Sequence, residues 1–173
     1  MPDLLSHVLL AYAVLTVASW VVDPLSDEWV AVGVAGAAIP DLHKVQLVLG
    51  SGAIESALGV PFDIEAVGTV GGVLLVAGVV ALCFGRNRRR AYACLVAGGF
   101  TGIFFDGLRA YAGGRADFWL YPAPWRPPTP SLYVSSDPRV LGVALVVAGA
   151  VFALDRRVVG RDDGRTAQPR RAE

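Results

Sequence analysis

Apolar residues in this chain come in long unbroken runs rather than in alternation, a pattern of helices buried on all sides or facing lipid. Residues 4–22, LLSHVLLAYAVLTVASWVV, are nearly uncharged. At 1.5 Å per residue they are long enough to cross a hydrocarbon core of ~30 Å. A polar turn, DPLSDE (23–28), separates them from WVAVGVAGAAIP (29–40), a shorter run that predicts a tilted or re-entrant helix ending at Pro40. Residues 41–65 mix apolar and charged positions and predict one or two interfacial helices, broken at GSG (50–52) and GVPFD (59–63). Further apolar runs occupy 67–84, 91–112 and 139–155. The predicted fold is therefore all-α: a polytopic membrane helix bundle with four or five spans and short interfacial helices, formed by residues 1–155. Residues 156–173 are charged and predict a disordered cytoplasmic tail.

Composition supports this division. Hydrophobic residues make up 54% of the 173 and charged residues only 17%, against about 25% charged in an ordinary soluble domain; mean hydropathy is +0.54. The arginines set an orientation. GRNRRR (85–90) is a short basic loop and Arg156–Arg157 follow the last run, so both belong on the cytoplasmic side of a cell membrane crossed several times. Segments 41–66 and 113–137 then share the outer side, and the N-terminus joins them if 29–40 crosses fully. No basic stripe alternates with aromatics, which excludes nucleic acid as a predicted partner; membrane lipid takes that place. Cys83 and Cys94 have neither CxxC nor zinc-type spacing and read as small apolar residues.

Four titratable groups lie in or beside the apolar runs: His7, Asp41, His43 and Asp106. A charge at a bilayer centre costs at least ~2.5–3.5 kcal/mol, so such groups face a protein interior or a wet cavity. Each has an ordinary explanation. Asp106 can pair with Arg109 one turn on, Asp41 can cap the segment that follows Pro40, and a lone interfacial histidine is commonly just hydrogen-bonded. Together the four supply the imidazole and carboxylate donors that suit a divalent metal, zinc or manganese, and a catalytic site needs only three protein ligands. Such an ion polarises an ester or phosphoryl group and activates water. No HExxH, GxSxG or phosphate-binding loop is present.

Several motifs carry a resemblance: MPDLLSHVLLAY at the start, GAAIPDLHK after the second run, GTVGGVLLV opening the third, GGFTGIFFDGL in the fourth and PPTPSLYVSSD before the last. Over residues 1–155 the chain resembles the membrane-bound metal-dependent hydrolases, the YdjM-like relatives of LexA-regulated inner-membrane proteins. That family carries an early His, a Pro-Asp motif, a His before the GG of the third segment and a HxxxD pair in the fourth, all taken to bind metal. The resemblance implies a hydrolase acting on a lipid-like or phosphoester substrate at the membrane surface, with His7, Asp41 and Asp106 as inherited ligands. Gly68 and Gly102 stand where the family has its other two histidines, and His43 stands where it more often has another polar residue. A protein that kept the fold and lost the metal, a non-catalytic scaffold or binding protein, is the alternative.

Gly68 and Gly72, and Gly98 and Gly102, form GxxxG pairs. Small residues at this spacing let membrane helices approach closely, within the bundle or between copies in a homo-oligomer. The segment 116–139 gathers Phe118, Trp119, Tyr121, Trp125 and Tyr133 among prolines. It reads as an interfacial aromatic belt on a stiff connector, or as a lid whose Arg115 or Arg126 meets lipid phosphate.

Overall fold

Long apolar runs become helices because a helix satisfies every interior backbone N–H and C=O within its own segment. The computed structural model describes residues 2–23, 25–45, 56, 59, 64–111, 113–116, 120–121, 123, 125–134 and 137–166, with side chains for all of these except 2, 3, 45, 64, 65 and 159–166. The described residues are helical apart from turns and two isolated bridges. The helices are α1 (Pro2–Ser19), α2 (Asp27–Gly36), α3 (Val70–Ala81), α4 (Arg88–Gly107) and α5 (Pro138–Thr166), with 3-10 turns at Pro40–Val45, Ile64–Gly68 and Leu82–Asn87. The predicted breaks at 50–52 and 60–63 lie outside the described residues.

Two helical stretches, Val70–Gly107 and Pro138–Val158, are long and apolar enough to cross a membrane. Only 17% and 11% of their apolar windows are buried inside the protein, so these side chains face outward, as Leu75, Leu82, Phe104 and Val146 do. The predicted four or five spans are not reached by that measure. The apolar part of α1, Leu4–Ser19, is too short, and α2 has 10 residues, about 15 Å of helix. Val70–Gly107 is not straight either. Gly85 takes φ 53 and ψ −116, a conformation open to glycine but costly for other residues. The chain reverses there, and α3 returns along α4 with Val73 against Gly99 and Gly78 near Tyr92.

The tightest contact joins α2 to α4. A Cβ on Gly98 would run into the carbonyl oxygen of Gly33, and one on Gly36 into the backbone of Leu95. The GxxxG pair at 98 and 102 therefore packs within the bundle, as small residues do where two helix backbones meet. The Gly68–Gly72 pair behaves differently, because Gly72 closes onto Ala66 and Val67 of its own preceding turn. There Thr69 caps α3: its hydroxyl donates to the Ala66 carbonyl at 2.6 Å and accepts from the Gly72 N–H at 3.1 Å. Ile39, Val73, Ala77, Leu95 and Ile103 form the core around this crossing.

The basic end holds together by a different chemistry. Arg90 lies 4.6 Å over the Trp29 ring, which sits beside Phe84, and the Trp20 indole N–H donates to Asp155 at 2.8 Å. The helix α5 runs on through Arg156 and Arg157 to Thr166, where the sequence predicts a disordered tail from residue 156; no proline interrupts it, and Arg156 stacks on Phe152 one turn back. Residues 167–173 lie outside the described residues.

Replacing Gly98 by Ala is expected to lower stability by about 1–3 kcal/mol through overpacking. Gly142→Ala, where a Cβ meets nothing within 4 Å, should be neutral or slightly stabilising. Thermal unfolding of both variants in mild detergent, followed by circular dichroism, checks the difference.

Candidate metal centre

The crossing of α2 on α4 fixes what happens at the other end of the bundle. Beyond Gly36 the backbone tightens into successive turns, with Ile39 N–H bonded to Gly36 O and Asp41 N–H to Ala38 O. Pro40 is fully buried. It fits because residue 102 is glycine, where a Cβ would stand 3.1 Å from the Ala37 carbonyl and 3.4 Å from Pro40 Cγ. Seating Pro40 aims Asp41 inward. The first turns of α1 bring His7 to the same level, and the last turn of α4 brings Asp106.

His7, Asp41 and Asp106 offer ligand atoms that all lie within 4.8 Å of one another. His7 stands between the carboxylates, with Nδ1 3.6 Å from Asp41 Oδ2 and Nε2 3.6 Å from Asp106 Oδ1. The imidazole side chain is 3% exposed, Asp41 4% and Asp106 20%. The Oδ2 of Asp41 is buried with no hydrogen-bond partner, an expensive arrangement for an ionised oxygen unless a cation joins it.

Two cations flank this triad. Lys44 Nζ lies 2.6 Å from Asp41 Oδ1 and Arg109 Nη1 lies 3.6 Å from Asp106 Oδ1. Both pairs span three residues in sequence, so the Asp106–Arg109 pair expected as an alternative to metal ligation is present together with the convergence. Burial pushes the Asp41 carboxyl up, but the His7 imidazole and Lys44 ammonium beside it outweigh that and hold it below its ordinary 3.8.

His43 is placed elsewhere. Its Nδ1 is hydrogen-bonded to the Pro40 carbonyl, and it stands 3.1 Å from where a Cβ on Gly68 would be. His43 thus fills the space that a side chain at position 68 would need and is not one of the three converging groups. The turn after Pro40 sends residues 41 and 43 in different directions. Lys44 is the group that sequence reasoning passed over. Its only signal was a position three residues after Asp41, within one helical turn.

The chain after α4 lies across this end. Leu132 N–H bonds the Leu108 carbonyl at 2.9 Å, Ala110 N–H bonds the Tyr133 carbonyl at 2.7 Å, and the Tyr133 hydroxyl donates to Phe105 O at 2.7 Å. These bonds tie residues 132–133 across the end of α4, and the Tyr133 hydroxyl serves one of its last carbonyls. Tyr121 O accepts from Gly71 N–H, so the same segment reaches the start of α3. Arg126 donates through Nε to the Ala116 carbonyl at 3.0 Å, which gives it a structural role within the segment; Arg115 is exposed. Phe118 and Trp119 lie outside the described residues.

The donor set suits a divalent ion. Around zinc at ~2.0–2.1 Å, tetrahedral ligands stand roughly 3.4 Å apart, close to the 3.6 Å separations on either side of His7. An ion here would be held by one His7 nitrogen with Asp41, Asp106 or both, whose ligand atoms lie within 4.8 Å of one another, and a carboxylate left on the other ring nitrogen would fix the tautomer. No family model matches the chain, and neither a curated protein nor a solved structure matches it.

The lowered Asp41 pKa gives a signed expectation. Its stabilisation is fully present above its unfolded value of 3.8 and is lost as pH falls through the lower folded value. Asp41→Asn should therefore be less stable than the unaltered protein at neutral pH and lose less stability on acidification below about pH 4. Unfolding midpoints of both proteins across that range check this; parallel curves would contradict it.

Proposed function

We propose that the chain is a membrane-embedded, divalent-metal-dependent hydrolase of the YdjM-like kind, acting on an ester or phosphoester at headgroup level. The observation that carries this reading is the convergence of His7, Asp41 and Asp106 from three separate elements into one buried group. Placing three costly polar side chains together in an apolar bundle is a pattern of function rather than of stability. Zinc and manganese are the ions the mixed imidazole and carboxylate donors favour.

In this reading α1, with the apolar residues 20–22 that follow it, and α3, α4 and α5 cross the bilayer. The reversal at Gly85 makes Val70–Gly107 a pair of crossings, and the short α2, held against α4, carries the chain back from the basic end to the level of Asp41. The basic turn faces the cytoplasm, and the metal centre opens toward the outer headgroups under the 108–134 segment. The metal, when bound, polarises the scissile ester and activates water. The chain's own residues do the rest. His7 is clamped between two carboxylates and cannot rotate away from the centre. The low pKa of Asp41 keeps it ionised and ready as a ligand or as the orienting partner of His7. Residues 132–133, bonded across the end of α4, limit access of bulk water from that side.

One observation favours a second reading, a metal-free membrane scaffold: Lys44 and Arg109 already stand on the two carboxylates. Elemental analysis of the purified protein separates the two. About one equivalent of zinc or manganese is expected, lost in His7→Ala and Asp106→Ala and retained in His43→Ala. An unaltered protein without bound metal after incubation with either ion would leave the scaffold reading standing.

A further inference from the structure

The charges around the triad constrain what else can enter it. Among the described side chains, Asp41 and Asp106 bring two negative charges and Lys44 and Arg109 bring two positive ones. With a neutral His7 the group is balanced. Metal ligands must be deprotonated, so a bound divalent ion leaves the balance at two positive charges. An uncompensated charge of that size in a largely buried site is costly. A neutral ester cannot relieve it; a dianion can.

The two cations are also placed to meet such a group. Their side chains are 24% and 27% exposed, more than His7 at 3% or either carboxylate. Each sits beside one carboxylate and keeps part of its side chain open to solvent. Lysine contributes a compact charge and arginine a planar fork of donors, the pair of chemistries that proteins use on phosphate. A phosphate monoester carries ≈ −1.5 to −2 at neutral pH, which matches the excess.

We propose that Lys44 and Arg109 form the anion-binding side of the centre and that its ligand carries a phosphate monoester group. The inference rests on the metal-centre reading. In that arrangement Lys44 and Arg109 release part of their hold on the carboxylates and donate to phosphate oxygens, while the metal takes over the carboxylate charge. Arg115 and Arg126, suggested by the sequence for this role, are not needed for it.

The test uses the full chain in bicelles, dialysed against Mn2+, with 31P relaxation as the readout. Manganese broadens phosphorus signals only at short range. Inorganic phosphate is one probe and phosphatidic acid in the bicelle is the other; phosphatidylcholine, a diester without net charge, is the control. Broadening of either probe beyond that seen at the same Mn2+ concentration in protein-free bicelles, but not of the control, supports the proposal. The probe that responds says whether the phosphate group comes from a soluble ester or a lipid headgroup. Lys44→Met and Arg109→Gln should each weaken phosphate binding on the order of tenfold or more, the loss expected for one charge-assisted hydrogen bond, while Mn2+ content holds or rises. Lys44→Arg and Arg109→Lys should restore binding in part, which separates the charge from a folding role. A protein that binds Mn2+ without broadening either phosphate probe overturns this proposal alone. So does unchanged phosphate binding in both charge-removing variants. A protein that takes up no Mn2+ overturns the metal-centre reading and this one with it.

Discussion

The backbone contact between Gly33 of α2 and Gly98 of α4 is the constraint from which the rest of this structure follows. A helix of 10 residues has little area of its own to bury, so it depends on lying flush against a longer neighbour. With no side chain at either position, α2 sits in the surface of α4 rather than on top of it. That depth brings Ala37 and Pro40 against Gly102, one turn before Asp106. The distance between Asp41 and Asp106 is then fixed by backbone, not by flexible side chains. Rigid support of this kind is what a constellation of functional groups requires.

The triad is held at two scales. Helix packing sets its coarse geometry, and ion pairs set its fine geometry. Lys44 and Arg109 each reach a carboxylate over three residues of local chain, so neither pair needs the bundle to be assembled. His7 comes from the other end of the sequence and closes the group only when α1 is in place. A buried histidine between two carboxylates, each with its own cation, resists collapse whether or not an ion is present. The arrangement can persist through metal loss, unlike a site whose carboxylates would face one another bare.

Much of this was legible in the sequence, and the unread parts have physical reasons. Unbroken apolar runs marked the helices, and the rarity of charge within them singled out His7, Asp41 and Asp106. The GxxxG spacing at 98 and 102 announced a close helix contact. Hydropathy leaves the number of crossings at four or five, because it does not say whether a run as short as 29–40 traverses; the basic loop 85–90 already marks the reversal near Gly85. His43 was misjudged for a local reason. Residues 41 and 43 are neighbours in sequence, but the turn after Pro40 gives His43 a carbonyl of its own and points it at Gly68. Lys44 was overlooked because a lysine near an aspartate is ordinarily a solvent-facing pair of little consequence; only burial of the carboxylate makes it matter. The proline-rich segment reads only as a belt or a lid, since its register depends on which carbonyls at the end of α4 need donors.

Gly68 and Gly102, the two positions that the sequence resemblance sets against histidines, have a packing role of their own in this structure. A histidine at 102 would need room that the Ala37–Pro40 turn occupies, and one at 68 would need the space of His43. The glycines are therefore part of the packing that seats Pro40 and aims Asp41, not gaps in an otherwise unchanged site. The converging group has one imidazole and two carboxylates, and carboxylates bring charge that imidazoles do not. That charge is what Lys44 and Arg109 answer. A centre built from three imidazoles would be neutral before an ion arrived and would have no use for two cations at its edge. One built from a single imidazole and two carboxylates carries two negative charges before an ion arrives, and here Lys44 and Arg109 offset them.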